Sequence, residues 1–114
     1  MFTVAEKNVL KHDRIFECYK FVSEYRFWIQ LDVGAQEIRI RLEEDNRGKI
    51  HFTQSHFIHT PTLPCPYISN RTSEDTPEAA LSAAVSTITT FYDRAIEDGY
   101  VPDSSWFIKN NFYY

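Results

Sequence analysis

The sequence predicts an α+β domain in which a meander of antiparallel strands, three and at most five, packs on one long C-terminal helix. A short N-terminal helix precedes it, giving the order α-β-β-β-α. Two patterns carry that prediction. Between residues 25 and 52 apolar residues recur at every second position, the period of a strand with one face buried. From residue 75 the period becomes that of a helix, bracketed by a start and a stop signal. A third observation bounds the size: 114 residues are room for one ordinary domain, so residues 1–114 are read as a single unit.

Taking the elements in order, residues 12–24 are read as the N-terminal helix. Ile15, Cys18, Tyr19 and Val22 sit at helical spacing against Asp13, Arg14, Glu17, Lys20 and Ser23. The competing reading puts Ile15, Tyr19 and Phe21 on an alternating strand. From Tyr25 the alternation is clear. Tyr25, Phe27, Ile29, Leu31 and Val33 form the apolar row of a first strand, and Ile38, Ile40 and Leu42 that of a second. Ile50 and Phe52 follow the turn Asp45-Asn46-Arg47-Gly48 as a third. Matching apolar faces predicts Leu31 opposite Ile40, Ile29 opposite Leu42, Leu42 opposite Ile50 and Ile40 opposite Phe52. The other face then places Trp28 beside Glu43, His51 beside Arg41 and Asp32 beside Arg39, a solvated surface with one large aromatic, Trp28.

Pro61, Pro64 and Pro66 make residues 59–75 a loop or a short edge strand, with a strand at 67–71 as an option. Asp75 or Thr76 supplies an N-cap, Pro77 suits the first helical position and Glu78 the positive end of the helix dipole. Leu81, Ala84, Val85, Ile88, Phe91, Tyr92 and Ala95 then hold one face until Gly99 and Pro102 end the helix. Residues 104–114 contain Trp106, Phe107, Ile108, Phe112, Tyr113 and Tyr114. A free tail of that composition would be sticky, so the segment is expected to dock on its own domain or on a second copy.

Composition narrows the function classes. With net charge −4 the chain offers no basic stripe of the kind that binds nucleic acid through its phosphates. Cys18 and Cys65 form no disulfide framework, which favours a reduced, cytoplasmic setting. There is no signal-peptide pattern and no run of apolar residues long enough to span a membrane. Aromatic residues make up 16% of the chain, more than a small core needs, and the surplus points to an interface.

Few constellations carry chemistry. His56, His59 and Cys65, with His51 as a fourth, are the nearest approach to a metal cluster, but they lack the paired spacing of a structural zinc site. No motif surrounds either cysteine as a nucleophile. Gly34, Gly48 and Gly99 stand too far apart to cradle phosphates. Glu43, Glu44 and Asp45 cluster at a turn, where acids are ordinarily solvated. The expectation is therefore no catalytic residue and no cofactor.

The element order resembles that of a double-stranded-RNA-binding domain, which grips phosphates with a lysine-rich start to its second helix. This chain has Ser73-Glu74-Asp75-Thr76-Pro77-Glu78 there, with three acids. A second, local resemblance is carried by Glu74-Asp75-Thr76-Pro77-Glu78-Ala79-Ala80-Leu81 and by the exit Ile96-Glu97-Asp98-Gly99-Tyr100-Val101-Pro102-Asp103-Ser104. Together with the hairpin at 38–52 these resemble the HicB-type antitoxin domain over residues 37–104. That resemblance implies a partial RNase-H-like fold lacking its catalytic carboxylates and used for protein binding. Leu63-Pro64-Cys65-Pro66 departs from the family's bend in lacking a glycine, and the strand at 25–33 is additional.

The leading reading is a non-enzymatic protein-interaction domain that self-associates or takes a protein partner. Its candidate interface residues are Trp28, Trp106, Phe107, Phe112, Tyr113 and Tyr114. A metal- or ligand-dependent enzyme built on His56, His59 and Cys65 is the alternative. Nucleic-acid binding is a second alternative, which the charge disfavours.

Overall fold

A computed structural model describes residues 1–113; Tyr114 lies outside the described residues. The elements are α1 (Val4–Val9), β1 (Tyr19–Gln30), β2 (Ala35–Asp45), β3 (Ile50–Gln54), β4 (His56–Ile58), β5 (Ser73–Glu74), α2 (Pro77–Glu97), a 3₁₀ turn (Ser104–Trp106) and β6 (Phe107–Lys109). The class is the α+β one expected: an antiparallel sheet ordered β1-β2-β3-β5, the long helix, and a short N-terminal helix. β4 and β6 add a second, two-stranded sheet.

The N-terminal helix lies earlier than expected. It occupies Val4–Val9, opened by a capping box in which Thr3 and Glu6 satisfy each other's backbone N–H groups. Residues 19–24, expected to be helical, are instead the first half of β1. Tyr19, Phe21, Val22 and Tyr25 favour strand over helix, and β2 is long enough to pair with all of β1.

Both hairpins keep the predicted faces but not the predicted partners. In the first, the chain turns through residues 31–34, where the Leu31 N–H donates to the Gly34 carbonyl at 3.0 Å. Gly34 has a φ of +79°, a left-handed conformation that costs a glycine little. Ile40 therefore faces Tyr25, not Leu31, and Trp28 faces Glu37, not Glu43. In the second, Asp45 heads a type I turn ending at Gly48 (φ +85°), and its Oδ1 accepts the N–H groups of Arg47 and Lys49. Leu42 then faces Phe52 and Ile40 faces Gln54. Both slips are even, so no side chain changes face. A bulge at Val22 interrupts β1, with Phe21 opposite Glu43 and Ser23 opposite Leu42.

β3 and β4 are one strand bent at Ser55. The Ser55 N–H donates to the Arg39 carbonyl, and its Oγ accepts from the Arg39 N–H, both in the last rungs of the first sheet. One residue later the chain pairs with β6 instead, His56 opposite Lys109 and Ile58 opposite Phe107. The proline-rich connection carries one bridge, Tyr67 to Ile58, and then β5 beside β3. Thr76 caps α2 through a bond from the Ala79 N–H, with Pro77 at its first position.

The core lies between the sheet and α2. Ile38, Ile40, Leu42, Ile50, Phe52 and Ile58 meet Ala80, Ala84 and Ile88, with Trp106 and Phe107 closing the far end. Small residues on the buried helix face let α2 lie close to the strands. One buried polar chain crosses this core. Thr87 Oγ1, which donates to the Ala84 carbonyl (2.7 Å), lies 3.2 Å from Gln54 Oε1, Gln54 Nε2 donates to the His56 carbonyl (2.9 Å), and Asn110 Nδ2 to the Gln54 carbonyl (2.9 Å). Each of these donors thus has a partner despite its burial. The molecule is elongated, 54 × 24 × 23 Å across its Cα atoms.

Candidate interaction surface

Among the described residues β1 forms a free edge of the sheet, since β2 alone pairs with it. Among the described residues, no backbone hydrogen bond outside the β1–β2 ladder involves residues 21–29. An edge this long, twelve residues, offers an unpaired row of N–H and C=O groups to another strand.

Its side chains fall into two rows. The outer face, shared with Glu37, Arg39, Arg41 and Glu43, carries Phe21, Glu24, Arg26 and Trp28. Phe21 and Trp28 are 58% and 57% exposed. Tyr25, in the middle of the other row, is also exposed, although its neighbours on β2 are fully buried. Arg26 stands directly opposite Arg39. Glu37 takes Arg39 at 2.8 Å, while Arg26 lies over the Trp28 ring, 5.4 Å from its centre, with no acidic partner among the described residues. Glu24 meets Arg41 only at 3.6 Å.

The aromatic tail divides in two. Trp106 is 3% exposed and Phe107 is buried in β6, so both serve the domain's own core. Trp106 packs its ring edge against Tyr92, whose hydroxyl donates to the Gln30 carbonyl at 2.7 Å. Phe112 is exposed. Tyr113 returns across the outer face with Arg41 over its ring at 4.6 Å, and burial first, then the Glu24 carboxylate, push its phenol up to about 12. Tyr114 lies outside the described residues.

The candidate metal ligands are scattered and engaged elsewhere. His51 Nε2 is 2.7 Å from Asp45 Oδ2, His56 Nδ1 is 2.9 Å from Ser55 Oγ, and His59 Nε2 is 3.1 Å from the Leu63 carbonyl oxygen. Cys65 is exposed on the proline loop, and among the described residues no three His, Cys, Asp or Glu side chains converge as a metal would need. Burial, then Lys109, holds His56 below its usual range. Burial alone would raise the Asp45 carboxyl, but His51 and the two turn N–H groups bring it below the ordinary carboxylate value.

Two of the three acids around the start of α2 are also committed, Asp75 to Lys49 and Glu74 to Arg71. An open cavity of about 320 Å³ lies beside α1, lined by Phe2, Leu10, Ile15, Cys18 and Asn46, with exposed Lys7, Lys11, His12 and Asp13 at its rim. Among the described residues, no group of three or more His, Cys, Asp or Glu side chains gathers there.

The residues that sequence reasoning missed are Phe21, Glu24, Arg26 and Tyr25 as an edge. The alternation of Tyr19 and Phe21 was the available signal, and the helical spacing of Ile15, Cys18, Tyr19 and Val22 obscured it. No helix among the described residues is long and apolar enough to cross a membrane. Comparison with family models, with curated proteins and with solved structures finds no match to this chain.

Proposed function

We propose that the protein is a non-enzymatic interaction domain whose edge strand β1 takes a protein partner. The observation that carries this reading is that an unpaired twelve-residue edge bears two aromatics more than half exposed, Phe21 and Trp28, beside an arginine that has no acid among the described residues. Trp, Tyr and Arg are the residues that anchor interfaces, because they desolvate large area with few rotamers to freeze. Strand addition to such an edge supplies affinity through main-chain bonds and specificity through alternate side chains. The resemblance of residues 74–81 and 96–104 to the HicB-type antitoxin domain extends the proposal to an antitoxin-related role. The free thiols of Cys18 and Cys65 fit a cytoplasmic setting.

The test is a photo-crosslinking residue, benzoylphenylalanine, placed at Trp28 and, as control, at exposed Ile68. In the native host, position 28 is expected to give one protein adduct of defined mass and position 68 none. A folded protein that gives no adduct at 28 would overturn the reading.

A further inference from the structure

We infer that the partner of β1 is a second copy of this chain, its β1 running antiparallel to the first with Tyr25 on the two-fold axis. This rests on the reading of β1 as the interaction edge, and it adds the identity and register of the occupant.

The argument is in the order of the outer row. Between its ends, Tyr19 and Gln30, the row along β1 reads Phe21, Glu24, Arg26, Trp28: aromatic, acid, base, aromatic. The bulge at Val22 produces this spacing, because it carries Phe21 onto the face that holds Glu24. Reversed, these four residues are complementary to themselves. Turned end for end and laid beside itself with Val22 bulged out of the ladder, the row places Phe21 against Trp28 of the copy and Glu24 against Arg26 of the copy, each contact occurring twice. An isologous two-fold interface requires this self-complementarity.

Register follows from charge. Faces are kept only when the register moves by even steps, so the two-fold axis passes through a residue. Centred on Glu24, two carboxylates would meet; centred on Arg26, two guanidinium groups would meet. Like charges directly opposite destabilise a strand pair. Centred on Tyr25, each Arg26, which faces Arg39 within its own chain, gains the carboxylate it lacks there. The exposed Tyr25 meets its own copy on the other face, where it extends the partly covered apolar row of Phe27 and Ile29. Charges on an edge strand ordinarily keep sheets apart. Here their order turns the same charges into a key for one partner, joining two four-stranded sheets into one of eight.

Sedimentation velocity tests this on the full chain, with Arg26→Glu, Glu24→Arg and their equimolar mixture. The wild type is expected to sediment as a dimer at high micromolar concentration. Each single variant places like charges on the central rungs and is expected to be monomeric. The mixture restores both pairs, Glu24 with Arg26 and the introduced Glu with the introduced Arg, and is expected to recover the dimer. A second readout covers any variant that fails to fold. In a background with Cys18 and Cys65 changed to Ser, Tyr25→Cys is expected to oxidise to a covalent dimer, while Phe27→Cys is not. A monomeric wild type, singles that still dimerise, or a mixture of folded variants that stays monomeric would overturn the inference. A Trp28 adduct with a different protein, alongside a monomeric wild type, would overturn the second copy and leave the interaction reading standing.

Discussion

Asp45 shows how one side chain sets a register. Its carboxylate holds the turn through Arg47 and Lys49 and holds β3 through His51, against whose ring Tyr19 of β1 packs edge-on. The carboxyl is held below its unfolded value of about 3.9, so its stabilising contribution is full above that pH and is lost as pH falls through the depressed native value. Asp45→Asn is therefore expected to melt below the wild type from neutral pH down to about 4, with the gap closing below that, as read by thermal denaturation at stepped pH. Trp106 tests the tail at the same scale. Truncating this buried ring to alanine is expected to cost about 3–5 kcal/mol by chemical denaturation, because the ring fills the end of the core beside Tyr92. From sequence alone Trp106 and Trp28 looked equivalent. What separates them is pairing: the 3₁₀ turn that leads into β6 carries Trp106 inward, whereas Trp28 stands on the edge strand, more than half exposed beneath Arg26.

Elements were legible where local chemistry was one-sided. Thr76, Pro77 and Gly99 each do one job at a helix end, and α2 lies where they place it. Thr76→Ala is expected to lower stability by about 1 kcal/mol without altering the far-ultraviolet spectrum. Residues 12–24 were not one-sided. Their apolar spacing fits both periods, and the deciding factor is non-local: β2 offers eleven residues of ladder, more than a strand beginning at Tyr25 could use. The hairpin partners were missed for a related reason. Parity follows from apolar alternation, but the rung follows from where Gly34 and Gly48 permit a positive φ. The second sheet was missed because His56, Phe57 and Ile58 are too short a run to announce a strand, and their partner is fifty residues away in β6.

At the scale of the whole molecule, the radius of gyration is 16.7 Å, whereas about 13 Å is ordinary for a compact chain of this length. Small-angle scattering on the Arg26→Glu monomer is expected to return the larger value. The elongation leaves β1 at the sheet's edge, with α2 packed mainly over β3, β4 and β2. The core was legible in the sequence and the surface was not. Buried residues announce themselves by period, whereas an edge is defined by what fails to pair with it.

The bend at Ser55 carries a consequence for biosynthesis. Asn110 braces that joint from both sides, its N–H on the Ser55 carbonyl and its Nδ2 on the Gln54 carbonyl, 56 residues away in the chain. Such distant closures are slow and come late in folding. A ribosome that has released only the first hundred residues therefore presents the meander without its brace and with the socket for Trp106 unfilled. Proteolysis of ribosome-held chains with residue 110 still inside the ribosome, or carried clear of it by a C-terminal linker, is expected to find the Ser55 region cleavable in the first and protected in the second. Equal protection would show that the meander closes without the end of the chain.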